Sequence, residues 1–365
     1  MKRIKPRYVV YLCLLLSIVV YHILASNRSF ANFISSATLP LRQALGRFCG
    51  LFPFSVAELT IVLAVLLFLF WLIRTICLFA AAAKPRLSIL RQRMAIFLIP
   101  VLSLYLILCL FLGASLSADG FAERSGLIPV PASVDALRRT TAVFADRLCQ
   151  TAELVSRDES GCMNSTLDEV FALSTELYAE TDRRFPFLAL RDTMPKRFFC
   201  SRVLSLINFT GFYFPFLGEA NINVDIPVCM IPSTIAHEMA HQRGVASEQE
   251  CNFLAVLSSI SSGSDIYAYS GWLFGYIYLS NALYRYDYSA YCNIASALPD
   301  AVWADLAANN QYWAQFEKPA AKAVSKVSDK LYDNMLKSYG LESGVQSYGE
   351  VVDMLILWNE RFGFE

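Results

Sequence analysis

Three long apolar runs dominate the first third of the chain, and short basic segments separate them. A helix that crosses a bilayer needs roughly 20 mostly apolar residues, and each of these runs is long enough. The runs predict transmembrane helices near residues 8–26, 57–79 and 94–116. The sequence therefore predicts a membrane region over residues 1–118.

Basic residues flank the apolar runs unevenly, and this bias predicts the orientation of the chain. The basic residues before the first run and after the second are Lys2, Arg3, Lys5, Arg7, Lys84, Arg86, Arg91 and Arg93. Because loops rich in Lys and Arg stay on the cytoplasmic side, both segments are expected there. Three crossings then place residues 119–365 outside the cytoplasm, as a C-terminal extracytoplasmic domain of a multi-pass protein of the cell membrane. If the first run were a cleaved signal peptide, the domain would lie on the same side.

After residue 118 the polar and apolar positions follow the spacing of amphipathic helices, with one interruption. Helices are predicted over Val134–Glu153 and Leu167–Ala179, and then near 233–243, 247–261, 266–285, 287–296, 298–316, 319–338 and 346–360. The interruption, SLINFTGFYFPFLGEANINVDIPVCMIP, combines aromatic and β-branched residues with Gly and Pro, which is typical of short strands. Residues 119–365 are thus expected to form one mostly helical domain with a small β element.

Composition agrees with this division. The 365 residues are 56% hydrophobic and 17% charged, with a formal net charge of +0. That balance is typical of a membrane protein and not of an ordinary soluble domain. No basic patch indicates a nucleic-acid partner, so the lipid bilayer is the first expected partner. Several cysteines lie beyond residue 118, and in an oxidising compartment disulfides and buried thiols are equally open.

The segment STIAHEMAHQRGVASEQECNF, at 233–253, carries the strongest chemical signal. His237 and His241 stand four residues apart, and Glu238 directly follows the first. On a helix this spacing places both imidazoles on one face, where both can reach one zinc ion. Glu238 points about 100° around the helix, so it suits a general base that acts on water. The alternative is an ordinary helix that happens to carry two of the 3 histidines of the chain.

A catalytic zinc usually has three protein ligands, so a third must come from elsewhere. In the longer motif HExxHxxGxxH the third histidine would stand at Ser247, which leaves carboxylates as candidates. Glu250 and Glu248 are the nearest, at the start of the next predicted helix. Glu250 also completes an S-x-x-E capping box that begins at Ser247, so spacing alone divides it evenly between ligand and cap. Glu248 is the weaker candidate, and more distant carboxylates are Glu153, Glu180 and Glu219.

The chain resembles an uncharacterised bacterial membrane family, catalogued as the domain-of-unknown-function 3810 family. The stretches that carry this resemblance are FTGFYFPFLGEANIN at 209–223, IAHEMAHQRGVASEQECNFLA at 235–255, YSGWLFGYIYLSNALYRYD at 269–287 and VQSYGEVVDMLI at 345–356. The resemblance implies three N-terminal membrane helices and a large domain with an HExxH helix. It implies a zinc-peptidase-like site but brings no proven activity.

The step from Glu250 to Asn252 also resembles the E-A-N segment that follows HExxH in a wider group of peptidases. There the glutamate is taken as the third zinc ligand, so the resemblance implies Glu250 before Glu248. Two departures stand beside it. Cys251 replaces the usual alanine, and the Glu-x-x-x-Asp pattern of many such peptidases, counted from Glu250, ends on Leu254.

Together these features predict a membrane-anchored zinc metallopeptidase that hydrolyses peptide or protein substrates outside the cytoplasm. Zinc would be held by His237, His241 and Glu250, and Glu238 would be the catalytic base. The predicted fold class is three transmembrane helices followed by a zincin-like, mostly α-helical α+β domain. The alternative function is a non-enzymatic, zinc-stabilised membrane receptor or scaffold.

Two further expectations concern substrate binding. The segment FLGEANINVDI, at 216–226, is either an edge strand that pairs with an extended substrate or an ordinary strand under the metal helix. Donors that stabilise the transition state are expected among Arg243, Tyr267 and Tyr269.

Overall fold

The computed structural model describes residues 6–81, 86–317, 326, 330 and 348–364. Three of its helices are long and apolar enough to cross a membrane, at Arg7–Ala25, Val56–Ala80 and Arg86–Ser117. The elements that contain them are α1 (Pro6–Ala25), α3 (Val56–Ala80) and α4 (Arg86–Leu108), which continues through a π-helical turn (Cys109–Gly113) into α5 (Ala114–Ser117). The three predicted apolar helices are therefore confirmed as helices.

The three helices have a consistent relative direction. Tyr11 of α1 donates a hydrogen bond to Ala95 O of α4, and Arg28, just beyond α1, donates to Ser117 O at 3.2 Å. α1 and α4 therefore run side by side in the same direction. Trp71 of α3 stacks on Phe97 of α4, with ring centroids 4.7 Å apart. The end of α1, the start of α3 and the end of α5 consequently lie at the same end of the bundle.

A fourth helix, α2 (Arg28–Gly50), fills the connection between α1 and α3. No helix is predicted there from apolar runs, because polar residues interrupt the segment. The Asn27 side chain caps its first turn by accepting a hydrogen bond from Phe30 N. α2 crosses the end of the third apolar helix, where Ser35 Oγ lies 3.1 Å from Ser115 Oγ. It thus lies between the membrane helices and the rest of the chain.

The longer helices described beyond residue 118 follow the predicted order, and three short helices that no pattern predicted lie among them. They are α6 (Phe121–Ser125), α7 (Val134–Ala152), α8 (Leu167–Leu173), α9 (Ala179–Arg184), α10 (Ser201–Leu206), α11 (Ile231–Gln242), α12 (Glu248–Ile260), α13 (Asp265–Tyr286), α14 (Tyr288–Ala295), α15 (Asp300–Ala314) and α16 (Tyr348–Phe362). The helix predicted over Leu167–Ala179 is shorter than expected, since a 3₁₀ turn follows Leu173. The helix predicted over 319–338 lies outside the described residues, apart from positions 326 and 330.

A small sheet precedes the helix that carries the two histidines, as predicted. Its strands are β1 (Lys196–Phe198), β2 (Gly211–Phe214) and β3 (Glu219–Asn223), in the order β1-β3-β2. β1 pairs with β3 in parallel, and β2 pairs with β3 antiparallel. β3 is thus the central strand and is buried along its whole length. The suggestion that 216–226 forms an edge strand is therefore wrong, and among the described strands β2 is the edge strand that contacts α11, the helix with the two histidines.

One hydrophobic core extends from Phe121 to Phe364 and surrounds α11. α11 packs against β3 on one side and against α12 and α13 on the other. Tyr267, Tyr269, Trp272 and Tyr276 of α13 are buried in this core. All cysteines are free thiols, so the disulfide alternative is not realised. The domain boundary at residue 118 stays a prediction.

Two carboxylates, one buried and one half-buried, join this domain to the start of α3. Glu219 of β3 accepts hydrogen bonds from Ala57 N at 2.7 Å and from Val56 N at 3.2 Å, both in the first turn of α3. In return, Glu58 of α3 accepts hydrogen bonds from Phe199 N and Cys200 N, each at 2.8 Å, at the start of α10. Carboxylates suit these positions because the first amides of a helix lack partners and carry partial positive charge. The sheet and α3 are therefore fixed to each other.

We expect Glu219→Gln to destabilise the protein by about 1.5–3 kcal/mol, because a buried amide replaces a charged acceptor of two backbone donors. The measurement is thermal unfolding of the detergent-purified protein, followed by intrinsic fluorescence. The matched control is Glu176→Gln, which changes an exposed glutamate and should shift stability by less than about 0.5 kcal/mol. An unfolding temperature equal to that of the control variant would contradict the role given to Glu219.

Candidate metal centre

The histidine helix begins and ends at recognisable signals. Pro232 stands in its first turn, where the missing N–H costs nothing, and the helix starts at Ile231, two residues before the predicted start. After the last helical residue, Gly244 adopts a φ of +87°, a left-handed conformation that ends the helix. Ile235 and Met239 are fully buried on the core side. These anchors hold the central part of α11 in one orientation.

Each histidine of α11 is oriented through its Nδ1 atom. His241 Nδ1 lies 2.8 Å from the carbonyl oxygen of Val245, which can only accept a hydrogen bond. His237 Nδ1 lies 2.8 Å from Asn252 Oδ1 on α12. With the proton on Nδ1, the neutral rings present the lone pair of Nε2. Such partners are typical of metal-ligating histidines, because they fix both the tautomer and the ring orientation.

The two Nε2 atoms converge on Glu248, the first residue of α12. His237 Nε2 lies 3.1 Å from Glu248 Oε2, and His241 Nε2 lies 3.6 Å from Glu248 Oε1. The three side chains form the one potential metal-binding group found in the described parts of the chain, with ligand atoms within 4.8 Å of one another. Two ligands of a tetrahedral zinc with bonds of about 2.0–2.1 Å are about 3.3 Å apart, so the spacing fits zinc.

Glu250 lies elsewhere, so the prediction that it is the third member of this group is corrected. Its Oε1 accepts a hydrogen bond from Ala122 N at 2.8 Å, in the first turn of α6. A Cβ added at Gly120 would lie 2.5 Å from the same oxygen, which shows how closely the carboxylate approaches that turn. Ser247 caps α12 as predicted, but the Glu250 carboxylate caps α6 and not its own helix.

Helical spacing explains why Glu248 is the carboxylate that meets the histidines. Glu248 and Asn252 stand four residues apart, on the same face of α12. Asn252 contacts His237 through Nδ1, and Glu248 contacts it through Nε2. Glu250 is about 200° around the helix from Glu248 and faces away. The Glu-x-x-x-Asp pattern, when it is counted from Glu248, ends on Asn252, which has an amide in place of the carboxylate. This near match was the signal in the sequence that could have identified Glu248.

Charge is shared unevenly within the cluster. Burial disfavours protonation of His241, but its interactions with Cys251 and Glu248 raise its pKa well above the ordinary value. Burial also disfavours the ionised form of Glu248, but the two histidines hold the pKa of that carboxyl well below its usual range. The carboxylate therefore stays ionised and acts as an anionic ligand candidate. A cation that binds here replaces a proton.

Cys251 lies beside His241 but on the wrong side of the ring to join this group. Its Sγ is 3.3 Å from His241 Nδ1, whereas the lone pair available to a metal is on Nε2. Burial raises the pKa of the Cys251 thiol to about 12, so the sulfur remains protonated near neutral pH. The thiol donates to Val245 O at 3.5 Å and thereby shares the acceptor of His241.

Glu238 occupies the neighbouring position on α11 and has the surroundings of a proton acceptor. Its side chain is buried, and its Oε2 has no hydrogen-bond partner in the described part of the protein. Burial raises the pKa of Glu238 to about 7, while His237 and His241 act in the opposite direction. A carboxylate with a proton affinity near neutrality can both take and return a proton.

A cleft of about 370 Å³ opens over the two histidines, Glu238 and Glu248. The edge strand β2 forms one wall, and Gly211 in this strand approaches Glu238 closely. A Cβ added at Gly211 would lie 2.9 Å from Glu238 Oε1 and 3.0 Å from Asn221 O. Leu112 and Leu116, at the end of the third apolar helix, also line the cleft.

The expected transition-state donors are engaged in the core and do not line this cleft. Arg243 pairs with Asp182 and Asp192, and its side chain is completely buried. Tyr267 donates a hydrogen bond to Val170 O, and Tyr269 donates to an Asp305 carboxylate oxygen. That expectation is corrected, because all three side chains stabilise the domain behind α11.

We expect Gly211→Ala to destabilise the protein by about 1–3 kcal/mol, because the new methyl group meets Glu238 and the backbone of β3. The measurement is again thermal unfolding in detergent. Gly349→Ala is the matched control, since a Cβ there meets open space and should leave stability unchanged or slightly higher. Equal unfolding temperatures for the two variants would contradict the close approach of β2 to Glu238.

Comparison with known proteins adds the family of the chain and nothing on its activity. No curated protein matches the chain, and no solved structure does. One protein-family model matches residues 35–356, and its description is a protein of unknown function. The match covers most of the chain, from α2 to within α16. The chain therefore belongs to the DUF3810 family.

Proposed function

We propose that the protein is a membrane-anchored zinc metallopeptidase whose site faces the extracytoplasmic side. The observation that carries this proposal is the convergence of His237 Nε2, His241 Nε2 and the Glu248 carboxylate. Next to them lies the buried Glu238, whose Oε2 has no hydrogen-bond partner among the described residues. Two histidines and one carboxylate are a known ligand set of catalytic zinc, which leaves a coordination position for water or substrate. The extracytoplasmic side follows from the basic residues that flank the apolar helices.

Each residue of the cluster has a separate task in this proposal. His237, His241 and Glu248 hold the metal, while Asn252 and Val245 O keep the histidine rings in place. Zinc supplies Lewis acidity, which polarises the scissile carbonyl and makes water a stronger acid. Glu238 accepts a proton from the attacking water and returns it to the leaving amine.

The edge strand β2 gives this site a place for an extended peptide. β2 pairs with β3 along one side, which leaves its other edge without a described strand, and its residues from Gly211 to Tyr213 line the cleft. An edge strand can pair with a peptide through backbone hydrogen bonds, which favours peptides over other hydrolysable substrates. The scissile bond would then lie between β2 and the metal helix.

Metal content distinguishes the two glutamates of α12. We expect about one zinc per chain in wild type, retention in Glu250→Gln and loss in Glu248→Gln, because an amide is a poor zinc ligand. The two variants are matched in chemistry and lie two residues apart. The measurement is elemental analysis of detergent-purified protein after reconstitution with zinc. Zinc retained in Glu248→Gln and lost in Glu250→Gln would restore Glu250 as the ligand, and no zinc in wild type would refute the metal site.

Hydrolysis tests the catalytic part of the proposal. We expect Glu238→Gln to keep its zinc and to lose hydrolysis of a mixed peptide library by about 10²–10⁴-fold, since the amide cannot accept the proton. Product formation by mass spectrometry is the readout, and unchanged zinc content is the control for folding. Full activity in Glu238→Gln would refute this mechanism. Absence of hydrolysis in zinc-loaded wild type would favour the alternative, a non-enzymatic zinc-stabilised receptor or scaffold.

A further inference from the structure

We propose that α2 lies in the interface of the lipid bilayer and holds the catalytic cleft at the membrane surface, so that the substrate is the juxtamembrane segment of a membrane-anchored polypeptide. The proposed lipid contact is inferred from the structure around α2 and does not depend on the proposed function. The substrate class rests on the proposed peptidase function.

One face of α2 is apolar and exposed along the whole helix. Its members are Phe33, Ala37, Leu41, Ala44, Phe48 and, at the C-cap, Leu51. Their spacing of three or four residues confines them to about 80° of the helix circumference. The four large side chains are each more than half exposed, from 52% for Leu41 to 77% for Leu51. An amphipathic helix of this kind is typical of one that lies in the plane of a membrane interface.

The opposite face of α2 is buried against the rest of the protein. Its buried residues are Ala31, Arg42, Gly46 and Cys49. Arg42 donates a hydrogen bond to Ser115 Oγ at 3.1 Å, and its exposed fraction is only 2%. The described part of the domain therefore lies on the other side of α2 and leaves the stripe exposed.

The ends of α2 determine what covers the stripe. α2 begins directly after α1 and ends shortly before α3, and both of those helices are apolar enough to cross a membrane. Arg28 at its start donates to Ala118 O at 3.1 Å, beyond the end of the third apolar helix. Both ends are thus held at one end of the bundle, at the level where the hydrocarbon region ends. A helix held there with an apolar outer face meets lipid.

A second exposed apolar group lies beside the start of α3. Phe199 is 92% exposed and Val203 is 52% exposed, at the start of α10. Glu58 in the first turn of α3 accepts the amide hydrogens of Phe199 and Cys200 and so fixes this segment next to the membrane helix. The apolar surface around the start of α3 therefore comes from two separate parts of the chain, as expected for a shared lipid contact.

Close backbone packing fixes α2 relative to the cleft. A Cβ added at Gly46 would lie 2.5 Å from Gly218 O, at the turn between β2 and β3. Gly218 has a φ of +65°, and a Cβ there would lie 2.0 Å from Arg42 O. A Cβ on Gly244, just after the metal helix, would lie 3.1 Å from the Leu39 side chain. α2 is thus in direct contact with the turn after the edge strand and with the end of α11.

The cleft itself reaches the third apolar helix. Leu112 and Leu116 line it together with His237, Glu238 and Glu248. Both leucines belong to the last part of the segment that is apolar enough to span the membrane, Arg86–Ser117. A polypeptide that enters the cleft therefore passes the end of a membrane helix. Segments close to a membrane anchor satisfy this geometry, whereas distant parts of a soluble protein do not.

Photo-crosslinking tests the lipid contact of α2. The photoreactive residue p-benzoylphenylalanine replaces Leu41 in the stripe, Phe70 in α3 as the positive control, or Leu154 in the domain as the negative control. All three side chains are exposed, at 52%, 61% and 59%, so the replacement disturbs no packing. In nanodiscs of phosphatidylethanolamine and phosphatidylglycerol we expect lipid adducts by mass spectrometry at positions 41 and 70 and not at 154. Adducts at 70 alone, or a crosslink from 41 to a second protein chain, would overturn the proposal.

Anchored and free peptides test the substrate class. The zinc-loaded protein in liposomes of the same lipids receives one peptide library either joined to a palmitoyl chain or without it. We expect cleavage of the anchored peptides to be faster by at least about tenfold. This ratio should fall in the double variant Leu41→Glu, Phe48→Glu, and cleavage of both libraries should disappear in Glu238→Gln.

The outcomes separate this proposal from the one on which it rests. Equal cleavage of free and anchored peptides, or a ratio unchanged in the α2 variant, overturns the substrate class and leaves the peptidase function intact. No cleavage of either library by zinc-loaded wild type refutes the peptidase function and with it the substrate class. In that case lipid adducts at position 41 would still support the membrane contact of α2.

Discussion

The carboxylate of Glu219 holds the central strand of the sheet against the first turn of α3, and the position of the cluster of His237, His241 and Glu248 depends on this contact. The acceptor is buried and serves two backbone amides, so sliding the sheet along α3 would leave an ionised group and two donors without partners. β3 carries α11 on one face, and α12 packs on α11. The distance from the membrane helix to the histidines is therefore set by two packed layers without a flexible linker.

The metal centre follows from the face that each of two helices presents. α11 places both histidines on one side. Glu248 and Asn252, one turn apart on α12, contact His237 from the facing helix. Two half-buried imidazoles beside a half-buried carboxylate are costly unless charges are paired or a cation is bound. The cluster pairs its charges internally, and Oε2 of Glu238 still has no partner in the part of the chain that the structure describes. A domain that needed only stability would gain more from apolar side chains at these positions.

Sequence patterns predicted the features that depend on local interactions. The apolar helices, the start of α12 at Ser247 and the end of α11 at Gly244 follow from runs, caps and a left-handed glycine. α2 was not predicted because its polar residues interrupt the apolar run, although its apolar residues recur at intervals of three and four. The central place of β3 depends on pairing with distant strands, which no local pattern encodes. Glu250 was preferred because the step from Glu250 to Asn252 resembles the E-A-N segment of other HExxH peptidases, and this step is two residues long, whereas neighbours on one helical face are three or four residues apart.

In a peptidase-like site of this shape, the location of the cleft beside the apolar helices would determine which substrates are cleaved more than the side chains of the cleft would. The cleft is lined on one side by an edge strand. Backbone hydrogen bonds from such a strand do not distinguish between the side chains of different peptides. Discrimination between substrates then has to come from which polypeptides can reach the cleft. Because Glu219, Gly46 and Gly218 bind the sheet to α2 and α3, the cleft cannot move away from the end of the membrane helices. Polypeptides anchored in the same bilayer meet it at a high effective concentration, and soluble ones do not.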